Sequence, residues 1–266
     1  NVITKQWIGV QPTDKTEIRN FLYQYLLSHH KSLPVFVRNK LVKVIVDVGR
    51  IDWPHFYHNF FSNILEHSGK LRLYDCIKSN HDLLTAGILA MCCINELLAK
   101  NCVPAEFEEF LLKLFQQTFH LLQRITKESS VIDSDLSELD ESYLDKFTEF
   151  LSMFVHVHLR RFENSSHFPV IELLTLLFKY TFKQPNNEGL FSCLDIWAVF
   201  LDYLIAKVSN ARSDKLAEAE ATVSRYKEVL MLLLNELLKK IQFAHNQAFL
   251  DDLDDQSVDA DVRTIF

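Results

Sequence analysis

Few side-chain spacings in this chain could chelate a metal or supply a nucleophile. His55 and His58 stand three apart, which on one helical face would present two imidazoles as the start of a zinc site. No third ligand is placed by the sequence, and no H-E-x-x-H occurs. His156 and His158 are two apart and fall on different helix faces. The adjacent Cys92 and Cys93 diverge by about 100°, so neither pair makes a chelate. There is no G-x-G-x-x-G, no phosphate-binding loop and no G-x-S-x-G turn. Five glycines in 266 residues leave little material for any other phosphate cradle. The many carboxylates read as solvated helix surface in the absence of a pocket. The expectation is a protein without catalytic chemistry, with no metal, cofactor or specific partner-binding residue assigned.

Charge and cysteine usage narrow the field further. Twenty-eight basic and 35 acidic residues give −7, and six of the negatives (Asp251, Asp252, Asp254, Asp255, Asp259 and Asp261) lie near the C-terminal end, leaving −1 for the rest. No basic stripe is present to neutralise a phosphate backbone, so direct nucleic-acid binding is not expected. The acidic segment reads as a solvated loop, with contact to a basic partner surface as the sharper alternative. Cys76, Cys92, Cys93, Cys102 and Cys193 form no C-x-x-C pair, and an odd count in a large apolar chain points to reduced thiols of cytosol or nucleus. Asn164-Ser165-Ser166 matches a glycosylation sequon that an intracellular chain would not use. No run approaches eighteen uninterrupted apolar residues, so no membrane insertion is expected. Asn1 reads as a cut made inside a longer protein.

The elements that position these residues are helices. Five Gly and six Pro are too few for an all-β or alternating α/β chain, while 48% apolar residues and twenty-one Phe supply a large core. Apolar residues recur at three-and-four spacing in Phe107, Phe110, Leu111, Leu114, Phe115, Thr118, Leu121, Leu122 and Ile125, behind a start marked by Pro104 and Glu106. The same stripe returns in Phe147, Phe150, Leu151, Phe154, Val155, His158 and Phe162, and in Tyr226, Val229, Leu230, Leu233, Leu237 and Ile241. Residues 170–182 and 191–204 are apolar almost all round, which predicts helices covered on several sides. Trp7, Trp53 and Trp197 read as anchors of hairpin contacts. Arg38, Lys40 and Lys43 read as solvated or inter-repeat charges, and Arg160 and Arg161 as cations near a helix C-terminus.

Five of the six prolines fall at corners: Leu33-Pro34, Asp52-Trp53-Pro54, Val103-Pro104, His167-Phe168-Pro169 and Gln184-Pro185. At the second corner Gly49 is expected to close one helix in the left-handed conformation and Asp52 to cap the next. Helices are predicted over 13–31, 34–49, 53–67, 82–101, 104–127, 138–163, 168–183, 187–209 and 215–248. Paired into units of about 40 to 50 residues, they have the length of HEAT-type repeats. The fold class is therefore all-α, a HEAT-repeat superhelix of helical hairpins (an α-solenoid). It divides into hairpins over 1–67, a join over 68–81, hairpins over 82–250 and an acidic loop or further repeat over 251–266.

Four blocks carry a family resemblance. Val37-Arg38-Asn39-Lys40-Leu41-Val42-Lys43-Val44-Ile45-Val46-Asp47-Val48-Gly49 leading into Asp52-Trp53-Pro54-His55-Phe56-Tyr57 resembles the exportin branch of the importin-β superfamily. So do Leu89-Ala90-Met91-Cys92-Cys93-Ile94-Asn95-Glu96-Leu97-Leu98-Ala99-Lys100-Asn101-Cys102-Val103-Pro104, Leu139-Asp140-Glu141-Ser142-Tyr143 and Phe191-Ser192-Cys193-Leu194-Asp195-Ile196-Trp197. The resemblance implies a nuclear export receptor that shuttles between nucleus and cytoplasm. It also implies binding to the small GTPase Ran in its GTP form and to nuclear pore proteins, and a family member of this type exports actin together with profilin. The interval from His67 to Asp82 is shorter than the family pattern, so that 68–81 is expected to bring together segments distant in such receptors. A HEAT scaffold without a Ran switch is the alternative.

Overall fold

A computed structural model of the chain describes residues 2–30, 32–53, 55–60, 62–64, 81–99, 108–126, 136, 139–165 and 167–241. Every regular element among the described residues is helical, and no strand occurs among them. In chain order these are α1 (Val2–Trp7), α2 (Pro12–His29), α3 (Val35–Asp52), α4 (His81–Ala99), α5 (Glu108–Ile125), α6 (Glu141–Met153), a π turn (Phe154–His158), α7 (Leu159–Phe162), α8 (Val170–Phe182), α9 (Asn187–Ser209), α10 (Leu216–Ser224) and α11 (Lys227–Ile241). The chain divides into two compact units, Asn1–Ala206 and Lys207–Phe266. In the first, α1 and α2 pack on α3, α3 on α4, α4 on α6, and α5 on α8.

The first two predicted stripes go into the core, whereas the third does so in part, with Tyr226, Val229 and Leu233 buried, Leu230 and Leu237 half-buried and Ile241 exposed. On α5, Leu111, Leu114, Phe115, Thr118, Leu122 and Ile125 are buried, and the Thr118 hydroxyl donates to the Leu114 carbonyl at 2.8 Å. The Pro104 start of that helix lies outside the described residues. From α6 into α7, Phe147, Phe150, Leu151, Phe154, Val155, His158 and Phe162 are all buried. The rings interlock: Phe168 lies 4.2 Å from Phe115 and 4.0 Å from Phe162 between centroids, and Phe147 meets Tyr180 edge-on at 5.6 Å. Such ring pairs add about 0.5–1.5 kcal/mol each beyond area burial. Two pairs of polar tips meet within the same core, with Thr148 Oγ1 2.8 Å from the Tyr180 hydroxyl and Trp197 Nε1 donating to Thr181 Oγ1 at 3.0 Å. These two bonds join α6 to α8 and α8 to α9.

Several expectations are corrected. Helix α3 does not stop at Gly49 but continues to Asp52. Gly49 serves the packing instead, because the Phe60 ring occupies the space that a Cβ would need. Nor does Asp52 cap a following helix: residues 53 and 55–59 form turns, with Phe56 and Tyr57 N–H donating to the Asp52 carbonyl. Pro54 lies outside the described residues. The helix predicted over 138–163 begins at Glu141, where the Asp140 carboxylate accepts the Tyr143 N–H at 3.2 Å, and it widens into the π turn at Phe154–His158. The helix predicted over 215–248 is two. Arg225 and Tyr226 donate to Thr222 and Val223 in a tight i−3 turn, which swings Tyr226 into the core.

The helices predicted to be covered on several sides are covered less fully. Ile171 on α8 and Phe191 and Leu201 on α9 remain exposed, opposite buried Leu173, Leu174, Leu177, Cys193, Ile196 and Phe200. With 23 residues and a mean hydropathy of 1.6 over its most apolar window, α9 has the length and composition of a membrane span. Asp195 and Asp202 interrupt its apolar run. Its bond to Thr181 and its buried Trp197 make it a core helix of the first unit.

Candidate functional site

The side chains singled out for chemistry do not assemble. His55 and His58 are exposed in the 55–59 turns rather than on one helical face. Among the described residues no three His, Cys, Asp or Glu side chains gather as a metal site. His156 is exposed, whereas His158 is fully buried, and burial together with the neighbouring Arg161 pushes its imidazole down to about 4. It is a neutral core residue at pH 7. Burial pushes the thiols of Cys92 and Cys93 up, and that of Cys193 to about 12. A thiol held protonated is a poor nucleophile and metal ligand. Cys76 and Cys102, and the acidic stretch from Asp251, lie outside the described residues.

The aromatic and cationic residues are mostly built into the framework. Trp7 and Trp197 are buried and Trp53 is half-buried. Arg38 donates to the His30 carbonyl at 3.3 Å, Lys43 reaches Glu96 of α4 at 3.7 Å, and Lys40 is exposed. Arg160 lies 5.9 Å from the Tyr203 ring centroid, while Tyr203 donates its hydroxyl to Glu163 at 2.6 Å.

Two charge clusters stand out. At the end of α3 the buried Asp52 carboxylate accepts from Lys15 Nζ at 3.2 Å and from Arg19 at 2.6 Å. Aromatic faces cover both cations: Lys15 lies 5.1 Å from the Phe56 centroid and 5.6 Å from that of Trp7, and Arg19 lies 4.4 Å from that of Tyr57. This corner locks α2 to α3. The second cluster is open, a groove of about 670 Å³ between α6 and the start of α9.

Glu141, Asp145 and Glu149 line the groove from α6, and Glu188 and Asp195 from α9. Leu139, Leu144, Met153 and Pro185 supply apolar surface, and neither lysine nor arginine is among the lining residues. Lys146 pairs with Glu149 at 2.6 Å, and Asn186 donates to Glu141 at 3.3 Å. Partial burial and the charges of Glu141 and Glu188 hold the Asp145 carboxyl above its ordinary range. The arrangement offers negative potential over a shallow apolar floor. It suits a basic protein surface rather than bond-making. The sequence carries half of its signal, since Glu141-x₃-Asp145-x₃-Glu149 repeats at one-turn spacing. The half supplied by α9 has no local cue.

All-α helical hairpins of the HEAT type define an α-solenoid. The comparisons are specific. The chain is 38% identical to Exportin-6 of mouse and of human over 99% of its own length, and 35% identical to Exportin-6-A of Xenopus laevis over the same share. It is also 36% identical to Exportin-6 of Dictyostelium discoideum over 69% of its length. The chain belongs to the exportin family. It spans about 37% of the length of the mouse and human relatives and 17% of the Dictyostelium one. No family profile matches it, and no solved structure does.

Proposed function

We propose that this chain is part of the body of a nuclear export receptor that takes up cargo together with Ran in its GTP form and releases both after GTP hydrolysis in the cytoplasm. The observation that carries this reading is the match to relatives named Exportin-6 along nearly the whole chain. The helical-hairpin architecture supplies the mechanics. Each hairpin touches only its neighbours, so small rotations add up to a change of curvature along an extended surface. Cargo and Ran then favour the same curvature, and the coupling is reciprocal, typically about 1–3 kcal/mol with more needed for an efficient release switch. The cargo proposed is actin with profilin. The receptor shuttles between nucleus and cytoplasm and touches nuclear pore proteins on the way.

The test is a pull-down of actin with profilin by the full-length protein with Ran-GTP, with Ran-GDP and without Ran. Capture only with Ran-GTP is the expected result. Equal capture in all three conditions would replace the exporter with a HEAT scaffold lacking the switch, and no capture in any of them would remove this cargo.

A further inference from the structure

Helix α9 carries two apolar faces, and the core takes up one of them. Cys193, Ile196, Trp197, Phe200 and Leu204 are buried in the first unit. Phe191, Leu194, Ala198, Leu201 and Ile205 form a second stripe at spacings of three, four, three and four, the repeat of a helix–helix seam. This stripe lies at the surface: Phe191, Leu201 and Ile205 are 50%, 40% and 62% exposed, Ala198 is exposed and Leu194 is half-buried. A lone exposed apolar residue needs no explanation, but five in register over about 21 Å of helix make a continuous strip.

The two flanks of the strip differ. On one, Leu190, Trp197 and Leu204 follow at seven-residue steps and are buried. On the other, Glu188, Asp195 and Asp202 follow at the same steps, each about 20° short of two full turns, so they form a row along the helix. All three are exposed, and no ion pair among the described residues engages any of them. Glu188 and Asp195 also line the groove, whose α6 wall carries Glu141, Asp145 and Glu149. The solvent side of the strip is therefore bordered by negative charge from two helices.

That border selects the occupant. A second α9 laid on the strip brings no cation to the row, because Lys207 is the single lysine or arginine of this helix and it lies beyond the strip. An anionic lipid surface is repelled by the same carboxylates, although α9 has the length and apolarity to attract one. We propose that this face of α9 is the docking site for a basic amphipathic helix of a partner protein, with apolar residues at three-and-four spacing and lysines or arginines at seven-residue steps along one flank. The strip supplies the contact area. The acidic row supplies choice of partner and orientation, as flanking charges do in a helix–helix seam. The α6 carboxylates across the groove add to the potential that draws a cationic segment in. This holds whether or not the chain takes part in export.

The test measures, by fluorescence anisotropy, binding of two synthetic helices to the full-length protein. Each has three heptads with leucine at the apolar positions, and one flanking position per heptad is lysine in the first and glutamate in the second. The lysine helix should bind about tenfold more tightly, the ratio that three solvent-exposed pairs supply, and should weaken with added salt. The double variant Leu201→Gln, Ile205→Gln should weaken it by at least about tenfold with the urea midpoint little changed, since both side chains are exposed. Reversing the row with Glu188→Lys, Asp195→Lys and Asp202→Lys should invert the preference between the two helices. Equal binding of the two helices, or no binding of either, would overturn the proposal. So would undiminished binding to the double variant, which would place the helix elsewhere, or a marked fall in that variant's urea midpoint, which would show the strip already covered within the protein. Loss in the double variant of self-association in sedimentation, or of binding to phosphatidylserine vesicles, would give the strip to a second copy or to a membrane instead.

Discussion

The corner at Asp52 and the groove at Asp145 use the same side-chain chemistry in opposite ways. At the corner one carboxylate, fully removed from water, faces two cations that are themselves 7% and 11% exposed. In the groove five carboxylates face an open volume with neither lysine nor arginine among the lining residues, and one of them, Asp145, is held above its ordinary pKa range by partial burial and by its acidic neighbours. Compensated charge that is sealed in serves cohesion, because removing either sign strands the other without solvent. Charge that stays wet and is only partly compensated, as by Lys146 on Glu149, leaves a net negative potential for something outside the molecule to meet. The corner is a joint and the groove is a surface.

The widest separation between them should appear on removing the central carboxylate of the corner. Asp52→Ala leaves Lys15 and Arg19 facing an apolar void. We expect a loss of about 3 kcal/mol, at the low end for a broken buried pair because both cations keep some access to water. The urea midpoint of the chain measures it, and a loss below about 1 kcal/mol would erase the contrast. A smaller effect sharpens the same point. Lys15→Met keeps an unbranched apolar stem against Trp7 and Phe56 and leaves Asp52 its 2.6 Å bond to Arg19. Losing one charge-assisted bond should then cost about 1.5 kcal/mol, roughly half the first effect. Equal costs for the two variants would mean that Arg19 does not hold Asp52 by itself.

How much of this could be read beforehand follows from where the partners lie in the chain. The stripe from Phe147 to Phe162 was legible because helical spacing is local, and all seven of its members are buried. The position of the corner was legible from Gly49, Asp52 and the Trp-Pro pair, but its chemistry was not. Asp52 finds its partners 37 and 33 residues earlier, on a helix whose own pattern shows no reason to offer Lys15 to the core. Local capping rules assign Asp52 to the next helix, and a tertiary ion pair overrides them. Gly49 likewise reads as a terminator, while its use is to admit the Phe60 ring. The break at Arg225 and Tyr226 has neither glycine nor proline to announce it; burial of the Tyr226 ring decides it. The α6 half of the groove could have been read from carboxylates four apart, but the opposing Glu188 and Asp195 enter only once α9 lies alongside.

The smallest effect tests the groove end of the comparison and has the opposite sign. Asp145 follows Glu141 by one helical turn and precedes Glu149 by another, and its carboxyl is held up by partial burial and by Glu141 and Glu188. A folded-state pKa raised above the unfolded value of about 3.9 means that the folded chain takes up the proton more readily. The stabilising contribution of this group is therefore complete below the unfolded pKa and is lost as pH rises through the folded value. At neutral pH the charged carboxylate works against the fold, so Asp145→Asn should stabilise it by about 0.2–0.5 kcal/mol, the scale of a like-charge pair one turn apart. Urea midpoints at pH 7 and pH 4 check the sign: the gain should be present at the first and shrink at the second, and added salt at pH 7 should reduce it by screening. A loss of stability at pH 7 would show that Asp145 is compensated after all, and the groove would then be a second joint rather than a surface.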